Sequence, residues 1–132
     1  MKSRTIVIAL TFCVLFSSSS YAGWTKVGKN ATGDTFYVDF ERIRKVDGYV
    51  YWWELWDYPK LNPVGHLSRK VYQQGDCKLF RVNQLSRSFH RQPMDGGKDN
   101  VKGPIRKGEN WIYPTPNSVD ETILQSVCNR QV

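Results

Sequence analysis

A run of strand-like segments that ends in one helix predicts an α+β fold. Three observations carry that prediction. Residues 49–58 read Tyr-Val-Tyr-Trp-Trp-Glu-Leu-Trp-Asp-Tyr, an aromatic and β-branched run of strand composition. Ser118-Val119-Asp120-Glu121 has the S-x-x-E form of a capping box and opens a segment with apolar residues at helical spacing. Two cysteines, Cys77 and Cys128, remain once the N-terminal segment is set aside, and one of them lies on that helix.

The N-terminal segment sets the compartment. Met1 to Arg4 is a short basic start, residues 6–16 are apolar except for Thr11 and Cys13, and Ser20-Tyr21-Ala22 is a small-x-small site. This order predicts a secretory signal peptide over residues 1–22, cleaved after Ala22, and a single domain over 23–132. The apolar stretch is shorter than the ~20 residues a membrane-spanning helix needs, and no second one follows. Cys13 follows the bulky Phe12 inside the apolar core, which does not suit lipid attachment. Cleavage removes Cys13, and the remaining pair is expected to form a disulfide in an oxidising compartment. On the chain-entropy model that bridge is worth about 4 kcal/mol.

The elements follow in order. Residues 24–27 alternate apolar and polar, a short first strand, and Gly28 to Asp34 is turn chemistry. Residues 35–39 form a second strand. Phe40, Ile43 and Val46 have the spacing of one or two helical or 3₁₀ turns, and Asp47-Gly48 turns the chain into the 49–58 strand. In that strand Tyr49, Tyr51, Trp53 and Leu55 share one side, and Val50, Trp52, Glu54, Trp56 and Tyr58 share the other. Rings on both sides suit a central strand covered on each face, or one face presented to a partner.

Pro59 to Gly65 is a loop, with Pro59 and Pro63 excluding a regular ladder. Residues 66–73 alternate again. Gly75-Asp76 reads as a turn into a long strand from Cys77 to about Phe89, and residues 93–97 read as a hairpin turn. Residues 98–110 are polar and basic, with at most one short strand around Val101. Residues 111–113 form a last short strand before Pro114 and Pro116. In the terminal helix Val119, Ile123, Leu124, Val127 and Cys128 fall on one stripe. A disulfide from Cys128 to Cys77 would pin the buried side of the helix to the sheet.

Several pieces in order make the chain resemble the surface-adhesin protein E domain of bacterial envelope proteins. They are Trp24, Phe36-Tyr37-Val38-Asp39 with Ile43, Tyr51-Trp52-Trp53-Glu54-Leu55, Asp57-Tyr58, Ser68, Asp76-Cys77, Trp111, Pro116-Asn117-Ser118 and Val127-Cys128. Where the family pattern has glycine before the capping serine, this chain has Asn117, the next best residue for unusual backbone angles. The resemblance implies an antiparallel sheet of about six strands with the C-terminal helix on one face, tied by the cysteine pair. It also implies a family in which a member forms homodimers and binds host matrix and plasma proteins such as vitronectin, laminin and plasminogen.

Charge narrows the partners. The whole chain has 19 basic and 12 acidic side chains; removing 22 of its 132 residues takes Lys2 and Arg4 and leaves +5 on 110 residues. That charge suits anionic lipid, polysaccharide or acidic protein, and export argues against nucleic acid. The basic group Arg87, His90, Arg91, Lys98, Lys102, Arg106 and Lys107 surrounds one predicted hairpin and is a candidate contact for a polyanion or acidic protein. The plainer use of those residues is a solvated loop. Trp52, Trp56 and Tyr58 are candidate exposed aromatics of the kind enriched at interfaces, or else pack under loops or a neighbouring strand.

Catalysis has little support. His66 and His90 lie far apart, no serine has a nucleophile-elbow context, Cys77 and Cys128 are not a C-x-x-C pair, and zinc-like spacing is absent. Asp39 is better placed to cap a turn than to act with Glu41. No cofactor is expected. The sequence predicts an exported binding module at the periplasm or outer surface of a Gram-negative bacterium. Its rival is a periplasmic structural or accessory protein, or a hydrolase inhibitor, without host contact.

Overall fold

The structure, a computed structural model, describes residues 23–97, 110–130 and the backbone of 101–104; the predicted leader, residues 1–22, lies outside them. Its elements are β1 (Trp24–Lys29), β2 (Thr35–Asp39), a 3₁₀ turn (Phe40–Arg42), β3 (Arg44–Val46), β4 (Tyr49–Asp57), β5 (Ser68–Asp76), β6 (Arg81–His90), β7 (Val101–Pro104) and α1 (Val119–Asn129). Six strands pair antiparallel in the order β1-β2-β4-β5-β6-β7, and the short β3 pairs with β4 alone. Since β5 occupies one whole edge of β4, β2 and β3 share the other, with the 3₁₀ turn between them. The α+β expectation holds, and the helix lies on one face.

Local chemistry explains where the chain turns. Asp39 caps the 3₁₀ turn by accepting the Glu41 amide at 3.2 Å and pairs with the Arg42 guanidinium. The helical reading of residues 40–46 is right only for its first half, because Arg44, Lys45 and Val46 are drawn into a hairpin with β4. Asp47 and Gly48 both have positive φ, 51° and 83°, which matches the right-handed twist of a two-residue hairpin.

Gly75 and Asp76 do not form the expected turn. They are the last residues of β5, and the chain reverses at residues 77–80, where Asp76 accepts the amides of Lys78 and Leu79 at 3.1 Å each. β6 therefore begins at Arg81 rather than Cys77. Gly75 serves close approach instead of turning. A Cβ there would stand 2.7 Å from the Trp52 ring, 2.9 Å from Val50 and 3.0 Å from Leu124. Gly75→Ala is expected to destabilise the fold by about 1–3 kcal/mol through overpacking, measurable as a lower urea midpoint. Residues 111–113 contribute only one bridge, Ile112 to Val82, rather than a strand.

The core forms where helix and sheet meet. Phe36, Val38, Ile43, Val50 and Trp52 pack against Ile123, Leu124 and Val127. The helical stripe read from sequence is thus the buried side. The Ser118 hydroxyl accepts the Glu121 amide at 3.2 Å, and the Glu121 carboxylate reaches back to the Asn117 amide at 3.4 Å, with Asn117 at φ 62°. Beyond the last buried turn, Cys128 joins Cys77 with a Cα separation of 5.8 Å.

Candidate functional site

Alternation in β4 places Val50, Trp52, Glu54 and Trp56 on the helix side of the sheet. Glu54 is 2% exposed, and its two oxygens accept the indole N–H groups of Trp52 and Trp56 at 2.8 Å each. Gln73, opposite Trp52 in register, donates to the same carboxylate. Burial nonetheless pushes the Glu54 carboxyl above its ordinary value of 4.5, with the three donors and the nearby Asp120 charge as smaller influences.

That shift has a sign that stability measurements can read. A carboxyl raised by folding binds more protons in the native state, so stability falls as pH rises above 4.5 toward the folded-state value. Asp120, raised from 3.8, contributes in the same direction, whereas Asp76 is lowered and acts only at more acidic pH. Glu54→Gln should flatten the stability curve above pH 4.5, measured by urea unfolding at several pH values. An unchanged slope would show that Glu54 titrates normally.

Outward from this carboxylate the same face becomes basic and aromatic. Arg69 pairs with Trp56 and Phe89 in register, and its guanidinium carbon lies 3.7 Å from the Trp56 ring centre and 5.7 Å from that of Phe89. Arg87 stands 5.7 Å from the Phe89 ring centre, and His66 stacks on Phe89 at 5.1 Å. Among the described residues neither Arg69 nor Arg87 has a carboxylate within salt-bridge distance. Burial lowers the Arg69 pKa and raises that of Tyr58, each offset in part by the other's charge.

The two contact sets read from sequence are only partly preserved. Trp52 has no exposed surface and belongs to the core, not to a contact surface. Trp56 and Tyr58 are half-buried. Arg87 and Arg91 are exposed, whereas His90 is 3% exposed and held near Ser88. Lys98, Arg106 and Lys107 lie outside the described residues, and for Lys102 only the backbone is described, opposite Ser88. What joins the sets is the ladder Trp56–Arg69–Phe89–Arg87. Sequence reading missed Arg69 and Phe89 as contact candidates because their meeting with Trp56 depends on strand register.

The helix-free face carries a second aromatic group. Tyr72 lies 6.2 Å from Tyr51 and 4.7 Å from Trp53, and the Lys70 amine is 4.7 Å from the Trp53 ring centre. At one end of this face the 93–97 turn is tied down, with the Met94 amide donating to Asp57 and the Asp95 amide to Ser68, each at 3.0 Å. Among the described residues no group of three His, Cys, Asp or Glu is placed to hold a metal, and no helix is long and apolar enough to cross a membrane.

Comparison with known proteins agrees with this architecture. The family model described as surface-adhesin protein E matches residues 24–129. Crystal form II of Haemophilus influenzae protein E is similar at 18% identity with a TM-score of 0.58, over 81% of this chain and 87% of that one. Protein E from non-typeable Haemophilus influenzae is similar at 18% identity with a TM-score of 0.57, over 81% of this chain and 76% of that one. At such identity these structures show a shared fold. No curated protein matches the sequence.

Proposed function

The chain belongs to the surface-adhesin protein E family, and from that premise we propose that it is an exported cell-envelope binding module whose contact surface is the arginine–aromatic ladder. The observation that carries this reading is the ladder itself. Arg69 and Arg87 flank Phe89, Arg69 caps Trp56, and neither arginine is neutralised by a salt bridge among the described residues. Stacking holds a guanidinium in place and leaves its edge free to donate in-plane hydrogen bonds, which suits carboxylate and sulfate oxygens. The partner is an acidic protein surface or a polyanion of the envelope or matrix.

Arg87→Glu with Arg91→Glu tests the reading, since both side chains are exposed and the exchange leaves the core alone. Retention on immobilised heparin at low salt should fall sharply, and binding by the parent protein should weaken as salt rises. Equal retention of variant and parent would remove the ladder as the contact surface. Localisation separates host contact from a purely periplasmic role. An antibody to the domain should label intact cells if the module faces outward, and only permeabilised cells if it serves inside the envelope.

A further inference from the structure

A cavity of about 220 Å³ lies where the start of α1 and residues 112–115 meet the sheet, with Trp56 of the ladder on its wall. We infer that it binds a primary ammonium group carried on a short apolar stem. Its walls include Trp56, Val82, Ile112 and Pro114, and its polar groups include Gln73 and Asp120. Gln73 is 4% exposed; its amide N–H is committed to Glu54, and its Oε1 is buried with no hydrogen-bond partner among the described residues. A buried acceptor left unpaired is costly, so a donor brought to it is favoured.

Charge selects the kind of donor. Asp120 stands on the cavity wall with its carboxylate partly desolvated, and its charge is felt by Glu54 beyond Gln73. Arg69 moderates both carboxylates from its place on the Trp56 ring but does not line the cavity. An ammonium ion offers three donors and a compact positive charge. Here one donor meets Gln73 Oε1 while the charge faces Asp120. The volume equals about seven waters at roughly 30 Å³ each, room for a stem of four or five carbons. Ile112 and Tyr113, 59% and 64% exposed, form an apolar mouth for that stem. Two sources present this group: a free alkylamine and a lysine side chain of a protein.

Two-dimensional NMR of the exported domain tests the assignment, with the Trp56 indole N–H as local reporter. The probes are n-butylammonium, Nα-acetyl-lysine-methylamide and, as the neutral control, n-pentanol. Saturable shifts at Trp56 and Gln73 with either amine, and weaker ones with pentanol, are expected. Response to butylammonium alone assigns a free amine, and response to the capped lysine as well admits a protein-borne lysine. Asp120→Asn should weaken amine binding about threefold to fivefold and leave pentanol unchanged. Gln84→Lys, which sets a tethered ammonium on the cavity wall, should abolish amine binding. No saturable shift with either amine, or equal binding by the Asp120→Asn variant, overturns the proposal. Heparin retention is a separate readout, so failure here leaves the ladder reading standing.

Discussion

Replacing Cys77 and Cys128 together by serine is expected to lower the unfolding free energy by about 4 kcal/mol. The bridge spans 51 residues, a segment that carries β6, β7 and nearly all of α1. In the unfolded chain the link forbids most separations of its ends, so removing it gives the denatured ensemble back that freedom. The loss is large against the roughly 5–15 kcal/mol that holds a small domain together. Cys77 is exposed and Cys128 only half-buried, so little apolar burial goes with the sulfurs and the effect should appear mainly as a shifted midpoint. Urea unfolding of the double variant beside the parent, and of the parent with and without reductant, measures it. A difference below about 1 kcal/mol would mean that the helix is held by packing alone.

The second large effect concerns Trp52. Truncation to alanine should cost about 3–5 kcal/mol, because the ring is wholly buried in the core cluster with Val50 and Leu124, with its edge close over Gly75, and leaves a void that the rigid sheet fills poorly. It also withdraws one of the two indole donors from Glu54. Trp52→Phe separates the parts: much of the packing stays, the hydrogen bond goes, and a further ~1–3 kcal/mol is lost from the under-served carboxylate. In a Glu54→Gln background the same Phe substitution should cost less, and that difference is the coupling between the two groups. Thermal or urea unfolding of the four proteins provides it. Additive costs would contradict the indole–carboxylate arrangement.

Much of the fold was legible because its signals are local. Alternation in residues 49–58 names a strand whatever lies beside it, and Ser118 with Glu121 starts a helix through atoms three residues apart. The misreadings have one cause. Gly75-Asp76 has the composition of a turn, yet the glycine answers to Trp52 and Leu124, which are distant in sequence. Residues 44–46 continue a helical spacing but pair with β4 because its edge beyond β2 is open to them. The candidate site was less legible still. Parity put Trp52, Trp56 and Tyr58 on one side, but not under the helix, and it could not say that Arg69 and Phe89 complete the ladder.

From its residues alone this chain declares an α+β plan, a pair of cysteines to be joined, a capped terminal helix and the surface-adhesin protein E likeness. Each is written in neighbouring side chains or in the order of short motifs. Which face of β4 the helix covers, and which arginines reach which rings, only the assembled sheet decides. A strand presents two faces of equal periodicity, and its register against its neighbours is set by contacts that no single segment contains.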